Sequence, residues 1–541
     1  MNRFILLLTL IYSCSYAQNF SQKDTLRGFL SPDRSWFDVT YYHLTLEVDT
    51  DQKTIKGFND IRFTVLENSN RMQLDLFENL TIDRVLFKGI SCNIERLYDS
   101  FFVELPSDIE VGSNLELRIF YHGIPKVAKN APWDGGFVWS KDKSGLPWIG
   151  VACQGLGASS WWPCKDHLSD EPDSMRITCT SPSEVQFIGN GNLESDFIEK
   201  NNRTSTWFVS YPINTYNVTL NIGNYSRLQD VYISGSDSLA LDYYVLKGNE
   251  LQAQNHFEQV KPMLSVYEEL FGPYPFWNDG YALVETSYLG MEHQGAIAYG
   301  NQFKKGYLGR YPANLDFDFI VIHESGHEYW GNSISMNDIA DMWIHESLCT
   351  YTEALYVEKI YGYNAMLAYL MYQKDFIDAT SPILGVYGTN TKGNGTDMYY
   401  KGSWMLHSIR NTINNDSLWY TIIKDIAQEF ALQNIDGDEL INFMSQKSFL
   451  DLKPIFEQFL GYANIPMLSY KLKKRNGKLI LRYKWTAHVD DFNMPIEVSI
   501  GTKTKFRIFP TSKYKTLDLG KVTKNEVRFT ENLFLYEKKE D

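Results

Sequence analysis

Positive charge is the scarcer sign in this chain. Its 541 residues include 51 Lys and Arg against 66 Asp and Glu, a formal charge of −15. That acidic balance argues against a nucleic-acid partner, because phosphate binding requires a surplus of clustered Lys and Arg. No apolar run reaches the length of a bilayer span, so no integral membrane span is expected. Internal repeats and low-complexity tracts are also missing. Apolar and charged fractions of 44% and 22% are those of ordinary globular chains, which sets aside the disordered and fibrous classes. The length allows two to four domains, each with its own core.

Cysteine is scarce as well, with six in the chain. Cys14 lies in the stretch "MNRFILLLTLIYSCSYAQNF", where Arg3 precedes an apolar core and small residues follow. That layout reads as a secretory signal peptide over residues 1–17, cleaved after Ala17, and predicts a periplasmic or secreted protein. A lipid anchor on Cys14 is the alternative. Five cysteines then remain, an odd count that implies a free thiol or an intermolecular bond. Cys153, Cys164 and Cys179 are close enough in sequence for one local disulfide, while buried thiols packing as small apolar groups explain them equally well.

What the sequence has in abundance is aromatic residues and alternation. Tyr42, Leu44, Leu46 and Val48 share one face; Ile61, Phe63 and Val65 do the same after a polar turn, and so do Leu115, Leu117, Ile119 and Tyr121. Period-two runs of this kind predict antiparallel β-structure, and an all-β domain is expected over 18–230. Helical spacing follows over 231–465, beginning with one helix from Asn249 that ends at Gly272 before Pro273. Alternation returns over 466–541, with Asn476-Gly477 as a hairpin turn, so a small C-terminal β domain is expected.

Within the helical region "VIHESGHEYWGN" places His323 and His327 four residues apart, on one helix face. Glu324 lies about 100° around from His323, able to reach a metal-bound water without being a ligand. Glu346, which follows His327 after eighteen intervening residues on a separate helix, is a candidate third donor. Two imidazoles and one carboxylate form a three-ligand zinc site with its fourth position open.

These features resemble the zinc aminopeptidase family that includes aminopeptidase N and leukotriene hydrolase, the gluzincins with a second-helix glutamate. His-Glu-x-x-His, eighteen residues and Glu is that family's signature, and "YWGN" after His327 matches too. "LGMEH" (Leu289 to His293) is similar to the Gly-x-Met-Glu-Asn exopeptidase motif. "YYKG" (Tyr399 to Gly402) resembles the segment with the catalytic tyrosine, and "QGLGASSWWPCKD" (Gln154 to Asp166) the one lining the amine side of the cleft. The likeness covers roughly residues 35 to 465.

The resemblance implies a multidomain α+β fold: an N-terminal saddle-like β domain, a thermolysin-like, mostly helical catalytic domain and a small C-terminal β-sandwich-like domain. The family's large helical C-terminal domain is expected to be absent. It implies one Zn2+ per chain on His323, His327 and Glu346, with Glu324 as general base and Tyr399 as donor to the oxyanion. Glu292 would hold the α-ammonium of a peptide with a free N-terminus, with Gln154, Gly290 and Met291 around the substrate. His293 and Leu289 stand where the family has Asn and Gly, which leaves the shape of the adjacent pocket open.

The expected activity is therefore hydrolysis of the N-terminal peptide bond. A thermolysin-type endopeptidase and a catalytically silent peptide-binding protein are the alternatives, and oligomeric state is not readable. Of the neighbouring residues, His345 is expected to pack or hydrogen-bond behind the metal site. Glu353 could orient a ligand histidine, but a solvated helix face is the stronger expectation, and Asp338 and Asp341 are expected as caps of the second helix.

Overall fold

The N-terminal half is built on a sheet whose central strand is Phe37–Asp49. The computed structural model describes residues 20–106, 109–391, 395–502 and 504–541; the leader expected over 1–17 lies outside them. Thr54–Val65 pairs antiparallel on one side of the central strand and Ser174–Pro182 parallel on the other, within eight strands. Alternation decides the faces. Phe37, Val39, Tyr42, Leu44, Leu46 and Val48 are all buried, and a register shift between Val39 and Tyr41 lets the inward set skip one position.

A second sheet of five strands starts at Tyr225–Ser234, which runs across position 230, and continues through Asp237–Leu246, Tyr281–Glu285 and Ile297–Tyr299 to the short edge Gly290–Met291. Behind it lie the helices. The stretch expected to form one helix from Asn249 to Gly272 forms two, Glu250–Phe257 and Val260–Phe271. Pro262 explains the break: in a continuous helix its ring would meet the carbonyl of Glu258, whereas in the first turn of a new helix no N–H is needed there. Gly272 closes the second helix with φ 104°, a conformation that favours glycine.

Three helices frame the site and are named here by their key residue: the histidine helix Phe319–Gly326, the glutamate helix Trp343–Tyr361 and the tyrosine helix Tyr400–Ile413. Two small C-terminal sheets follow, and Asn476 and Gly477 both take positive φ in the expected hairpin turn. Their buried residues join the core of the helical region, while the N-terminal β unit has its own core, which reaches Tyr288 and Met291 beside the cleft. Among the described residues no helix is long and apolar enough to cross a membrane. All five described cysteines are free, four of them buried. The local disulfide considered for Cys153, Cys164 and Cys179 is thus not formed, and these thiols pack as apolar groups.

Candidate active site

The histidine helix is buried on nearly every side, so its placement is set by packing and by its cap. The Asp318 carboxylate accepts from Ile320 N at 2.9 Å and is itself fixed by Tyr299, Asn301 and His256. Gly326 lies against the Cys349 thiol, which brings the glutamate helix close.

His323 and His327 turn their Nε2 atoms toward each other, 3.2 Å apart, and Glu346 Oε2 stands 3.5 Å from both. Ligands on a tetrahedral zinc, with bonds of 2.0–2.1 Å, are spaced about 3.3 Å apart. The outer nitrogens are taken: His323 Nδ1 meets Glu353 Oε1 at 2.7 Å and His327 Nδ1 meets the Trp330 carbonyl at 2.8 Å. Both imidazoles therefore carry their proton on Nδ1 and aim a lone pair inward. Glu346 Oε2 is buried and accepts no hydrogen bond, a costly arrangement unless a cation answers it. The donor set fits zinc in chemistry and spacing. Burial disfavours the Glu346 carboxylate; without a metal the two histidines, when protonated, outweigh it and hold its pKa well below the usual range, a role a bound cation's charge would take over once both imidazoles are neutral.

Glu324 lines the same cleft, a cavity of about 730 Å³. Burial pushes its carboxyl up to about 8, with Glu292 and Glu346 adding and the histidines opposing; a bound dication would pull it back down. Tyr399 donates its phenol to Glu346 Oε1 at 3.1 Å. Burial first, then the charge of Glu346, raises its pKa well above the ordinary value, so it stays a donor. Its position follows from Gly402, whose α-carbon lies against Ser347 so closely that any side chain would collide. Ser347 in turn donates to the Met398 carbonyl at 2.7 Å.

Glu292 follows the edge strand Gly290–Met291, which pairs with Ile297–Tyr299. Its carboxylate, Glu324 and His327 lie within 4.8 Å of one another. Gln154 donates to it from the β unit, as does Tyr216 at 3.0 Å, and Asn332 donates to its carbonyl at 2.9 Å. The "WGN" after His327 thus has a physical meaning: Trp330 orients one histidine and Asn332 ties the histidine helix to the edge strand. Gly290, Met291 and Gln154 all line the cleft with the residues around the metal site.

His293, one of the two departures, does not line the cleft. It is fully buried with neither ring nitrogen bonded, and burial pushes its pKa down to about 3. Leu289, the other, is on the cleft wall. His345 sits behind the site near Ser335 and Tyr216. Glu353 corrects the expectation of a solvated face, being 1% exposed and bonded to His323, Tyr307 and Tyr369. Asp338 caps the short turn Ile339–Asp341, and Asp341 accepts from Gly437 N and Trp343 Nε1, so neither caps the glutamate helix.

Several cleft residues were invisible in the sequence. Pro132, Trp133 and Asp134 come from the β unit and Asn390 and Thr391 from a loop before Tyr399. The helix Gln22–Gly28 braces that loop: Asp24 O accepts from Asn390 N at 3.1 Å, and Arg27 donates to the Leu156 carbonyl at 2.7 Å on the opposite wall.

Residues 255–459 match the family model described as Peptidase family M1 domain. The chain is 21% identical to a leucyl aminopeptidase of Saccharolobus solfataricus, an alignment covering 66% of this chain and 46% of that protein. It is 20% identical to leukotriene A-4 hydrolase of Xenopus laevis, covering 85% and 77%. Against aminopeptidase N of Lactobacillus helveticus the identity is 20%, covering 80% and 52%. The chain thus spans about half the length of two of these three relatives. An M1 zinc metallopeptidase of Deinococcus radiodurans, solved as a mutant bound to a Tyr-Ser-Ala substrate, aligns with TM-score 0.67 at 19% identity, over 81% of this chain and 96% of that one. That likeness is one of fold.

Proposed function

With residues 255–459 forming a domain of peptidase family M1, we propose that this protein is a zinc-dependent aminopeptidase that removes the N-terminal residue of peptides. The observation that carries the exopeptidase part is Glu292, a buried carboxylate held within 4.8 Å of Glu324 and His327. A carboxylate at that place pairs with an α-ammonium group and fixes the register, so the first peptide bond is the one brought to Glu324.

His323, His327 and Glu346 would hold the zinc, which when bound polarises a carbonyl and makes a nucleophilic water available near neutral pH. Glu324 takes the proton of the attacking water on its carboxylate and returns it to the leaving amine. Tyr399 donates its phenol to the carbonyl oxygen as negative charge builds there. Glu353 and the Trp330 carbonyl keep the two imidazoles in one tautomer throughout. The leader-like residues 1–17 favour export, and hence peptides outside the cytoplasm. N-terminal sequencing of the mature chain checks this, and an intact Met1 would count against it.

The deciding experiment is a panel of aminoacyl arylamides, free and N-acetylated, with and without a chelator. Turnover of the free-amine compounds alone, abolished by chelation, is expected. Internal cleavage of blocked peptides would point instead to a thermolysin-type endopeptidase. Full zinc occupancy without any turnover would point to a binding protein.

A further inference from the structure

Glu292 has two side-chain hydrogen bonds, and both fall on Oε1. Gln154 donates its amide from the cleft wall and Tyr216 its phenol, at 3.0 Å, from the interior. Among the described residues no other side chain donates to this carboxylate. An ionised carboxylate has about four acceptor sites, so a double hold on one oxygen fixes its plane and leaves the other for a ligand.

Tyr216 is itself tightly placed. It is 3% exposed and lies in the short turn Thr215–Asn217, where Asn214 accepts its backbone N–H at 3.3 Å. Its carbonyl accepts the thiol of Cys153, the residue before Gln154, at 3.3 Å. Behind the phenol, His345 Nδ1 stands 3.5 Å from the Tyr216 oxygen, and His345 Nε2 3.3 Å from Ser335 Oγ. Because the phenol proton goes to Glu292, the row has one consistent direction: Ser335 donates to His345, His345 Nδ1–H to Tyr216, and Tyr216 to Glu292. These outer contacts are long, so the phenol bond carries the effect.

We propose that Tyr216 is the positioning residue of the amine site: its phenol holds Glu292 so that the carboxylate is presented ready-made to the α-ammonium of a peptide. This rests on the aminopeptidase reading above. Without the phenol, Glu292 must be ordered by the ligand itself, and affinity for the amine falls while the chemistry at Glu324 and Tyr399 is untouched. Both residues that hold Glu292 come from the N-terminal β unit, so that unit, although it supplies no zinc ligand, sets recognition of the peptide terminus.

The test uses the full zinc-loaded chain and the Tyr216→Phe variant, which keeps the ring and removes one oxygen. For an aminoacyl arylamide, KM should rise roughly 10-fold or more with kcat within about threefold. By calorimetry, affinity for an amino-acid hydroxamate should fall by the same factor, and affinity for its N-acetylated form should not change. Tyr216→Met, with different packing, should show the same selective loss. An unchanged KM, or equal weakening of both hydroxamates, overturns the role of Tyr216. The underlying reading fails differently: the unsubstituted protein would then turn over no arylamide and bind both hydroxamates alike.

Discussion

Glu353 Oε1 accepts the Nδ1–H of His323 at 2.7 Å, so a residue two turns past Glu346 decides which nitrogen of His323 faces the candidate metal site. Tyr307 and Tyr369 donate to the same carboxylate and leave it little freedom. Glu353→Ala should therefore weaken zinc binding by roughly 10- to 100-fold. Glu353→Gln, which still offers an oxygen to Nδ1–H, should lose less. Competition with a chromophoric chelator measures this directly, and equal zinc affinity in all three proteins would remove Glu353 from the metal site.

On the proposed mechanism, Glu324 and Tyr399 separate metal binding from chemistry. Glu324→Gln should keep zinc near one per chain while activity disappears, because an amide takes no proton from water. Tyr399→Phe should lower kcat by about 10²- to 10³-fold with little change in KM, the usual loss of one oxyanion donor. A Tyr399→Phe enzyme with undiminished kcat would exclude that phenol from the reaction.

Gly290 sits against Glu324, the proposed base. A methyl group added there would collide with Glu324 Oε1 and lie 2.8 Å from Ile320 Cγ2. Ile320 is buried in the histidine helix and has little room to yield, so Glu324 must move. Gly290→Ala should cost at least 10-fold in kcat, since a shift near 1 Å at a reacting group can cost about 10²-fold. Zinc content should be unchanged. Normal kcat in this variant would show that the cleft wall, not Glu324, gives way.

These residues also show what a sequence can reveal. The two histidines and Glu346 announce themselves through local spacing on helices, and the strands of the β unit through alternation, because one face of each is buried. Tyr399 stood out only by its Lys-Gly context, and the reason is tertiary: Gly402 lets one helix rest on Ser347 of another. Glu353 looked like a solvated acid because its burial is created by Tyr307 and Tyr369, which come from other elements, 46 and 16 positions away. Tyr216 had no local signature at all. Its neighbours in sequence are β-unit residues, and its partner Glu292 lies 76 positions on.

The stability of the fold should carry a pH signature from His407. This residue is fully buried in the tyrosine helix, with Nδ1 unbonded and Nε2 facing the Asn532 carbonyl at 3.1 Å. Burial pushes its pKa down to about 3, against an upward pull from that carbonyl, whereas the unfolded chain titrates near 6.5. As pH falls below about 6.5 the unfolded state takes up a proton that the folded state refuses. The stability contributed by the neutral imidazole is then lost progressively down to about pH 3, roughly 3 kcal/mol by pH 4. His407→Gln never charges, so whatever it costs at pH 7, its Tm should fall less steeply between pH 7 and pH 4.5. Acid also strips zinc as His323 and His327 protonate, but that loss is common to both proteins and cancels in the difference. Parallel Tm profiles for the two would show that His407 finds a partner for its proton in the folded state.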